Sequence, residues 1–367
     1  MILCLTTAHP PYDARIYLRQ LKSLKKLNQK IVYLATYNMS DKPIEDDYIK
    51  FISLAKRRGR LNRYLVLPFR VIFKVLLLRP KLIHFHDPEN LLLVPFFKLL
   101  NIIVIYDVHE DYVSSIKEDR KYIPKPFRNL VSTIFSFVEQ KLSIMCDAVV
   151  VATPLIKSLY PSHHNLEIVA NFCAKEDLFE KRDTFVHRHE FIYVGAISEH
   201  RGIFEISKAA NISKGDFVVN IIGSVDKKLL EEIKLLDTGN KLNFLGHRDR
   251  SEIKDIARNS IAGISILHPL NNYHASYPTK LFEYFALGMP CICSDFDLWK
   301  EFIGYGERGI AVNPYDYHAL AHALDFYFEN QEIAHKHGKS AQKSFLEDYN
   351  WEGEEVKLLD VYKKLNI

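Results

Sequence analysis

The sequence predicts an α/β protein built from two doubly wound parallel sheets. Short β-rich runs recur along the chain, and segments of helical length separate most of them. This alternation is typical of parallel sheets covered by helices. The chain has 367 residues, 48% of them hydrophobic, so it is long enough to form two domains with separate cores. The basic and acidic residues divide unequally between its two halves, which also favours two domains.

The first half contains one series of strands and helices. Residues 17–27 repeat apolar side chains at helical spacing after the first strand, and Asp13 is the candidate N-cap of that helix. In doubly wound sheets, ligands bind beyond the carboxyl ends of the strands. Asp87, His109 and Glu110 lie at such ends. The predicted strands of this half are ILCLT, KIVYLAT, KLIHFH, IIVIYDV and DAVVVAT.

A charged segment without clear periodicity, residues 174–188, marks the predicted domain boundary. Up to residue 183 the net charge is +9, whereas the remainder carries −5, which gives the total of +4. Residues 315–367 are predicted to be helical and polar. The predicted strands of the second half are FIYVGAI, FVVNIIG, KLNFLG, AGISIL and CICSD.

Composition also predicts the compartment. No run of about 18 uncharged apolar residues occurs, so no membrane span is expected. The N-terminus leads directly into a strand-like run without a basic lead and cleavage site, which indicates a protein that is not secreted. Five scattered cysteines without a C-x-x-C pair indicate a reducing cytoplasm. Cys291 and Cys293 alternate on an apolar run and are predicted to be buried thiols in one strand.

One stretch, YPTKLFEYFALGMP at residues 277–290, combines a helix pattern with charges suited to a ligand. Pro278 is suited to the helix start, and Gly288 ends the helix. Lys280 and Glu283 share a polar face near the helix N-terminus, where unpaired N–H groups favour a phosphate. A carboxylate one turn later suits a ribose diol. The spacing alone leaves two interpretations open: a nucleotide-diphosphate site, or an amphipathic helix with a surface ion pair.

Four stretches resemble the retaining GT-B-fold glycosyltransferases of GT family four, of the bacterial polysaccharide, O-antigen and capsule type. They are SYPTKLFEYFALGMPCICSDF, TTAHPPYDARIYL, HFHDPENLLL…IYDVHE and FIYVGAISEHRGIFEI. The resemblance implies two Rossmann-like domains that face a central cleft. We therefore expect an acceptor-binding domain over residues 1–180, a donor-binding domain over 181–348, and a final helix over 349–367 that crosses back to the first domain.

The resemblance also implies the donor site. Arg201, Lys280 and Thr279 are expected to bind the donor diphosphate, and Glu283 the ribose. The chain departs from the family at Ala275, where the first Glu of the family's Glu-x7-Glu pattern is missing. It departs again at Ala196, where the family has an Arg. The other residues expected in the nucleotide or sugar pocket are Gly195, Gly223, His247, Ser276, Tyr277 and Leu281.

On the acceptor side, the resemblance implies that His109 faces the donor sugar, whereas a structural role for this histidine stays open. Asp87 and Glu110 are candidates for acceptor binding or base catalysis. The loop AHPPYDAR lacks the paired glycines of many relatives, and its Asp13 and Arg15 are expected to contact acceptor or phosphate.

No metal and no cofactor are expected besides the nucleotide-sugar substrate. Asp295-Phe-Asp297 looks like a metal-binding D-x-D motif but follows an apolar strand, so we interpret it as a loop turn. The absence of G-x-G-x-x-G after the first strand counts against a dinucleotide oxidoreductase. The histidines at 163, 164, 187 and 189 lack a cysteine or carboxylate frame for zinc.

Basic residues concentrate between Lys56 and Lys81, where Arg and Lys alternate with Leu, Val, Ile and Phe. This pattern is typical of helices on anionic membrane surfaces, although a solvated helix packed on the sheet has the same pattern. Phe127, Ile134, Phe135 and Phe137, near Lys125 and Arg128, would extend the patch. No nucleic-acid-binding motif accompanies the charge.

The sequence thus predicts a cytoplasmic hexosyl- or N-acetylhexosaminyltransferase on the inner face of the membrane. It would use a UDP- or GDP-sugar and a glycan or polyprenyl-diphosphate-linked acceptor in cell-surface polysaccharide or lipopolysaccharide synthesis. Two alternatives stay open: a GT-B-fold nucleotide-sugar epimerase, and a non-catalytic sugar-nucleotide-binding protein. The sugar, the nucleotide, the acceptor and its linkage, and the oligomeric state are not predicted.

Overall fold

The computed structural model describes residues 1–37, 47–54, 62–118, 120, 123–270 and 273–367. They divide into two compact units, Met1–Asn171 with Gly353–Ile367, and Phe172–Glu352. The first boundary therefore falls at residues 171/172, where the sequence predicts 180/181, and the second falls inside the last helix. Within the described residues, no helix combines the length and apolar character needed to cross a membrane.

The first unit is built on a seven-stranded parallel sheet in the described residues, with the order β3-β2-β1-β4-β5-β6-β7. Consecutive strands run outward on either side of β1 and β4, so the strand order reverses between these two strands. This is the point at which doubly wound sheets bind ligands. The strands are β1 Ile2–Leu5, β2 Ile31–Ala35, β3 Ile49–Ser53, β4 Leu82–Phe85, β5 Ile103–Val108, β6 Ala148–Val151 and β7 Leu166–Ile168.

The helices of the first unit cover the sheet and enclose a core of aliphatic and aromatic side chains. A π-helical segment, Ala14–Leu21, continues as α1 and a 3₁₀ turn, and Asp13 caps it by accepting from the N–H groups of Arg15 and Ile16. The predicted N-cap is therefore confirmed. The remaining elements are α1 Lys22–Leu24, Lys25–Leu27 (3₁₀), Asn62–Val66 (π), α2 Leu67–Leu78, Pro88–Leu93 (3₁₀), α3 Val94–Leu99, α4 Tyr112–Glu118, α5 Lys125–Ser143 and α6 Pro154–Ser158.

The second unit has a six-stranded parallel sheet in the described residues, with the order β10-β9-β8-β11-β12-β13. Its order reverses between β8 and β11, and it encloses a separate core. The strands are β8 Glu190–Val194, β9 Val218–Ile222, β10 Leu242–Gly246, β11 Ser260–Ser265, β12 Cys291–Ser294 and β13 Gly309–Val312. The helices are α7 Lys175–Leu178, Glu199–Arg201 (3₁₀), α8 Ile203–Ile212, α9 Lys227–Leu236, α10 Arg250–Arg258, Tyr273–Ala275 (3₁₀), α11 Thr279–Ala286, α12 Asp297–Phe302, Gly304–Gly306 (3₁₀), α13 Tyr317–Glu329 and α14 Gln331–Glu347.

The last helix, α15 Trp351–Lys364, begins in the second unit and continues into the first. Within the first unit, the hydroxyl of the fully buried Tyr362 lies 2.7 Å from His84 Nδ1 on β4. Glu354 Oε2 accepts from the backbone N–H of Ala170 at 2.7 Å. These buried hydrogen bonds, rather than apolar contact alone, fix the helix to the first sheet.

The predicted fold class is confirmed, since both units are doubly wound and parallel. The predicted helix at residues 278–288 is also confirmed as α11, with Leu281, Phe282, Phe285 and Ala286 buried. Cys291 and Cys293 are buried in β12 as predicted. Of the predicted basic patch, Lys56, Arg57, Arg58 and Arg60 lie outside the described residues.

Candidate functional site

The glycines that follow β8 and β9 bring two backbone segments together at the edge of the second sheet. Gly195 and Gly223 have φ angles of 133° and 147°, which favour glycine. A Cβ atom on Gly223 would overlap the carbonyl oxygen of Gly195. The Gly195 N–H donates to Ile222 O at 2.8 Å, and the Gly223 N–H donates to Gly246 O at 2.8 Å. Both glycines therefore stand at the carboxyl ends of the strands, where the sequence places the donor pocket.

Helix α11 is fixed over the point where the strand order reverses. The hydroxyl of the buried Tyr284 accepts from Val194 N–H at 3.0 Å and donates to Ile264 O at 3.1 Å, so it bridges the ends of β8 and β11. Gly263 leaves the room for this ring, because a Cβ atom there would overlap it. The N-terminus of α11, with the exposed Thr279 in its first turn, is thereby held at the predicted ligand-binding edge.

Lys280 extends from α11 across Gly195 to the aromatic ring of Tyr193. Its Nζ lies 3.7 Å from the ring centroid, which is a close cation–π contact. The Tyr193 hydroxyl donates to Ala196 O at 2.8 Å and also interacts with Arg201. This cation–π contact, rather than the surface ion pair with Glu283 that the spacing left open, is the contact that holds the lysine.

The two cations expected to bind the diphosphate lie close enough to affect each other. Burial and, to a smaller extent, the positive charge of Arg201 together lower the pKa of Lys280 to about 7, against a smaller opposing effect of Glu283. Two like charges in a partly buried position are the environment that an anionic ligand stabilises. The structure therefore brings Arg201, Lys280, Gly195, Gly223 and the α11 N-terminus together.

The other predicted donor residues occupy more varied positions. Glu283 is half-buried on α11, one turn beyond Lys280. His247 is exposed just after β10, while Leu281 is fully buried in the core and reaches the site only through its backbone. The Ser276 carbonyl accepts from Trp299 Nε1 at 2.9 Å, which fixes the turn before α11. The ring of Tyr277 packs into an aromatic cluster, stacked on Phe172 at 5.8 Å and edge-on to Phe302 at 5.0 Å.

In the first unit, Asp87 lies where the order of the first sheet reverses, immediately beyond β4. Its Oδ2 accepts from the Thr6 hydroxyl at 2.8 Å and from Thr7 N–H at 2.6 Å, both just beyond β1. Its Oδ1 accepts no hydrogen bond from any residue that the structure describes and lies 3.6 Å from His9 Nε2. Burial and the neighbouring Glu89 raise the pKa of Asp87. One carboxylate oxygen is thus fixed by the protein, and the second is oriented toward the loop after β1.

His109 contacts a second histidine that the sequence did not single out. Its Nε2 lies 3.1 Å from His9 Nε2, and its Nδ1 lies 3.9 Å from Asp107 Oδ1. Burial lowers the pKa of His109 to about 4, so the ring is neutral at pH 7. Burial alone would also lower the pKa of His9, but its contact with Asp13 and the charge of Asp87 raise it. Glu110, the next residue, is exposed.

Arg15 has a different environment from the one expected for an acceptor-side loop. It is only 4% exposed, and its Nε and Nη2 donate to Asp107 at 3.1 and 3.2 Å, while Nη1 donates to Val169 O. The guanidinium is therefore committed to a buried ion pair. Asp13 caps the helix and lies 3.5 Å from His9 Nδ1, and its pKa is about 2 because these contacts outweigh its burial.

A group of three buried side chains in the described residues has the composition of a metal site. His84, His86 and Asp107 have potential ligand atoms within 4.8 Å of one another. Arg15 already supplies the positive charge opposite Asp107, which disfavours a cation there. We therefore interpret this group as a buried hydrogen-bonding cluster. Asp297 is almost fully exposed at the start of α12 and pairs with Lys300 at 2.7 Å.

Sequence reasoning missed His9, Thr6, Thr7 and Tyr193. The two threonines and His9 follow β1 directly, so the rule that ligands bind beyond strand ends would have selected them. Tyr193 lies inside a strand, and nothing in the sequence pattern distinguishes it from a core tyrosine. The four histidines at 163, 164, 187 and 189 divide between the two units, two in each.

Comparison with known proteins agrees with this arrangement. Residues 174–344 match the family model described as Glycosyl transferases group 1, so most of the second unit carries a domain of this type. The match spans less than half of the chain. No curated protein matches the sequence.

Several solved structures share the whole fold. Sucrose-phosphate synthase from Thermosynechococcus elongatus has a TM-score of 0.78 at 17% identity, covering 99% of this chain and 98% of that one. Anabaena HepE, solved with UDP and glucose, has a TM-score of 0.74 at 12% identity, covering 99% of both chains. WaaG, a glycosyltransferase involved in lipopolysaccharide biosynthesis, has a TM-score of 0.72 at 10% identity, covering 98% and 99%. The two Rossmann-like units therefore form the GT-B fold.

Proposed function

We propose that this protein is a retaining glycosyltransferase that moves a sugar from a nucleotide-diphosphate sugar to a glycan acceptor. The proposal depends mainly on one observation. Lys280, Arg201 and the N-terminus of α11 converge on glycine-lined strand ends within a domain that matches the glycosyl transferases group 1 model. A similar fold binds UDP-glucose in Anabaena HepE, which supports a nucleotide sugar as donor.

In the proposed reaction, charge develops on the leaving diphosphate as the glycosidic bond breaks. Arg201 and Lys280 stabilise that charge, with the N–H groups at the start of α11, including that of Thr279. Glu283 accepts hydrogen bonds from the ribose, and the absence of side chains at Gly195 and Gly223 allows the backbone to approach the nucleotide. His247 and Ser276 complete the pocket, whereas Leu281 and Tyr277 support it by packing.

On the acceptor side, Asp87 is the proposed partner of the attacking hydroxyl. Its Oδ2 is held by Thr6 and Thr7, so Oδ1 is the oxygen suited to accept a proton. Neutral His109 and exposed Glu110 are the proposed contacts to sugar hydroxyls, and Asp13 sets the loop through His9. Arg15 acts indirectly, by fixing Asp107 beneath this edge.

The proposed acceptor is lipid-linked, and the proposed location is the inner face of the cytoplasmic membrane. Phe69 and Phe73 on α2 and Phe127, Leu130 and Phe137 on α5 are exposed aromatic and aliphatic side chains. On each helix these residues are three, four or seven positions apart, so they form an exposed apolar stripe, a feature that often marks a membrane or protein contact surface. Arg63, in contrast, pairs with Glu89 and is not a simple lipid-facing charge.

A panel of UDP- and GDP-sugars, incubated with and without a polyprenyl-diphosphate-linked acceptor, tests this proposal. Transfer to the acceptor with retained anomeric configuration supports it. Interconversion of free nucleotide sugars would instead indicate an epimerase. Binding without turnover would indicate a non-catalytic protein, an alternative that the Ala275 departure leaves open. Turnover should persist in EDTA, because protein cations replace the metal. If EDTA abolishes activity and manganese restores it, the assignment of Arg201 and Lys280 as the only cations at the diphosphate would be wrong, and Asp295 and Asp297 would become candidate metal ligands.

A further inference from the structure

A cavity of about 510 Å³ lies in the first unit between the 3₁₀ segment Pro88–Leu93, α4 and α5. Its size falls in the range of small-molecule sites. Most of its lining is aliphatic or aromatic, which offers little to a sugar and much to a hydrocarbon chain. The principal apolar residues are Leu91, Leu92, Ile116, Ile134, Phe135 and Val138.

The cavity is connected to the proposed catalytic edge by a short series of hydrogen bonds. Glu89 lines the cavity and accepts from the Thr7 hydroxyl at 2.6 Å. The backbone N–H of Thr7 in turn donates to Asp87 at 2.6 Å. A ligand whose chain occupied this cavity would therefore have its polar end near Asp87, the proposed acceptor of the proton from the attacking hydroxyl.

The cavity lining holds two arginines beside its two acidic residues. Arg63 binds Glu89 through two hydrogen bonds, from Nε at 2.5 Å and from Nη2 at 2.9 Å, and Arg120 also lines the cavity. The other acidic residue, Glu139, is buried and interacts with the Tyr106 hydroxyl at 2.9 Å, and burial raises its pKa. Glu89 and Glu139 thus both accept internal hydrogen bonds, and the two arginines supply the N–H donors from which a phosphate or diphosphate would accept.

The cavity is continuous with exposed apolar surface. Ile134 lines the cavity and lies on the same face of α5 as Phe127, Leu130 and Phe137, because these residues are three or four positions apart. Tyr64 likewise lines the cavity and precedes α2. The exposed apolar residues of α5 therefore lead to the cavity along one face of the helix.

We propose that this cavity binds the first units of an isoprenoid chain, with the attached phosphate or diphosphate at Arg63 and Arg120. The inference rests on the proposed function and specifies its acceptor class. It commits to a single hydrocarbon chain with an anionic end, rather than to an apolar peptide segment.

Calorimetry with farnesyl diphosphate, below its aggregation concentration and without donor, tests the proposal on the full chain. We expect saturable 1:1 binding that farnesol or inorganic pyrophosphate alone reproduces at least ten-fold more weakly. Leu92→Gln and Ile134→Gln should each weaken binding at least ten-fold. Lys280→Met should leave it unchanged, because this variant separates the cavity from the diphosphate-binding cations of the second unit.

Two matched variants control for lost apolar surface. Leu99 controls for Leu92: it lies outside the cavity and is 81% exposed, compared with 67% for Leu92. Phe137 controls for Ile134: it lies outside the cavity on the same helix face and is 63% exposed, compared with 55% for Ile134. Leu99→Gln and Phe137→Gln should bind like the wild type. Equal losses in Phe137→Gln and Ile134→Gln would mean surface adsorption only, and unchanged binding in Leu92→Gln and Ile134→Gln would overturn the proposal. Saturable binding of an apolar peptide that excludes farnesyl diphosphate would overturn it as well.

The same titrations with UDP distinguish the two levels of inference. Binding of UDP without binding of farnesyl diphosphate would refute the cavity assignment and leave the proposed function intact. If the protein binds farnesyl diphosphate but binds no nucleotide, the result would support the cavity assignment and contradict the proposed donor class.

Discussion

The side chain of Lys280 occupies the space that a side chain on Gly195 would need. Its Cε lies 2.5 Å from the position of a Cβ atom built on Gly195, and its Nζ lies 3.0 Å away. The absence of a side chain at residue 195 is therefore what allows the lysine to reach the ring of Tyr193 and the ends of β8 and β9.

Gly195→Ala should displace Lys280 and strain a backbone with φ of 133°. Strain of this kind costs about 1–3 kcal/mol, and we expect affinity for UDP to fall about ten-fold, or about 1.4 kcal/mol. Gly306→Ala is the control, because Gly306 also has a positive φ, 116°, but no atom within 4 Å of an added Cβ. Isothermal calorimetry measures both. Equal UDP affinity in the two variants would show that the contact with Lys280 is irrelevant to binding.

Affinity for UDP should depend on pH through Lys280. In the free protein its pKa is about 7, and a bound diphosphate favours the charged form and raises that pKa. Binding should therefore weaken as pH rises from 7 to 9, with proton uptake at pH 8. Calorimetry in two buffers of different ionisation enthalpy measures the uptake. In Lys280→Met this uptake should disappear, and its persistence would assign the titration to another group.

Lys280 should also influence stability. Its folded pKa of about 7 lies below the ordinary value, so the unfolded chain binds more protons between the two values. The lysine therefore destabilises the folded protein at low pH, and its contribution becomes more favourable as pH rises above 7. Urea unfolding of the wild type and of Lys280→Met at pH 6.5 and 9 measures the contribution of Lys280 to the free energy of unfolding at each pH. A larger gain in wild-type stability at pH 9 is expected, and a larger gain in the variant would contradict the sign.

Glu283→Ala should weaken binding of UDP itself by about 1.5–3 kcal/mol, typical of a hydrogen bond to a charged group. The reason is that the proposed contact is to the ribose and does not involve the sugar. Glu301→Ala, an exposed carboxylate on α12, is the control and should bind UDP normally. Unchanged affinity in Glu283→Ala would remove this residue from the site.

His9 and His109 should titrate separately, although they touch. On acidification His9 should gain its proton first, with a pKa above the ordinary 6.5, whereas His109 should stay neutral until about pH 4. Histidine NMR measures both, and His9→Gln assigns the upper transition by removing it. If His109 titrated near pH 6.5 in the wild type, a neutral His109 at the acceptor side would have to be abandoned.

Vesicle flotation tests the exposed apolar face of α2. Phe69→Gln combined with Phe73→Gln should release the protein from anionic vesicles. Both side chains are exposed, and each substitution removes the favourable free energy of transferring a phenyl ring from water into the bilayer. Leu235→Gln with Val356→Gln, which replaces two exposed side chains elsewhere, should float like the wild type. Equal flotation of both double variants would mean that α2 does not insert.

Most of the fold could be predicted from the sequence, and the missed strands share one cause. β3, β7 and β13 are all edge strands, and each has fewer buried positions than the central strands beside it. LEI of β7 has no fully buried residue, so it lacks the apolar run that identified β6. A strand at the edge of a sheet has a neighbouring strand on one side only, so its side chains are covered less completely and its sequence shows a weaker hydrophobic pattern.

The candidate site was predictable where its residues follow strand ends or begin a helix. Lys280 and Arg201 were found in this way, as was Asp87. The partners that set their properties were not, because Tyr193 approaches Lys280, and His9 approaches His109, only through tertiary structure. For Arg15 the sequence-based expectation was wrong. Its position in a ligand-side loop predicts an exposed guanidinium, but the guanidinium is buried and forms an ion pair with Asp107, 92 residues away.

The seating of α15 on the first sheet also sets an order for biosynthesis. Residues 353–367 leave the ribosome only after all of the second unit has been translated, which takes about 10–40 s at typical elongation rates. During that interval the nascent first unit lacks Tyr362, the partner of His84, and Glu354, the acceptor for Ala170 N–H. The unit that starts first therefore reaches its native state last, because the surface that α15 covers stays uncovered until the final helix has been translated.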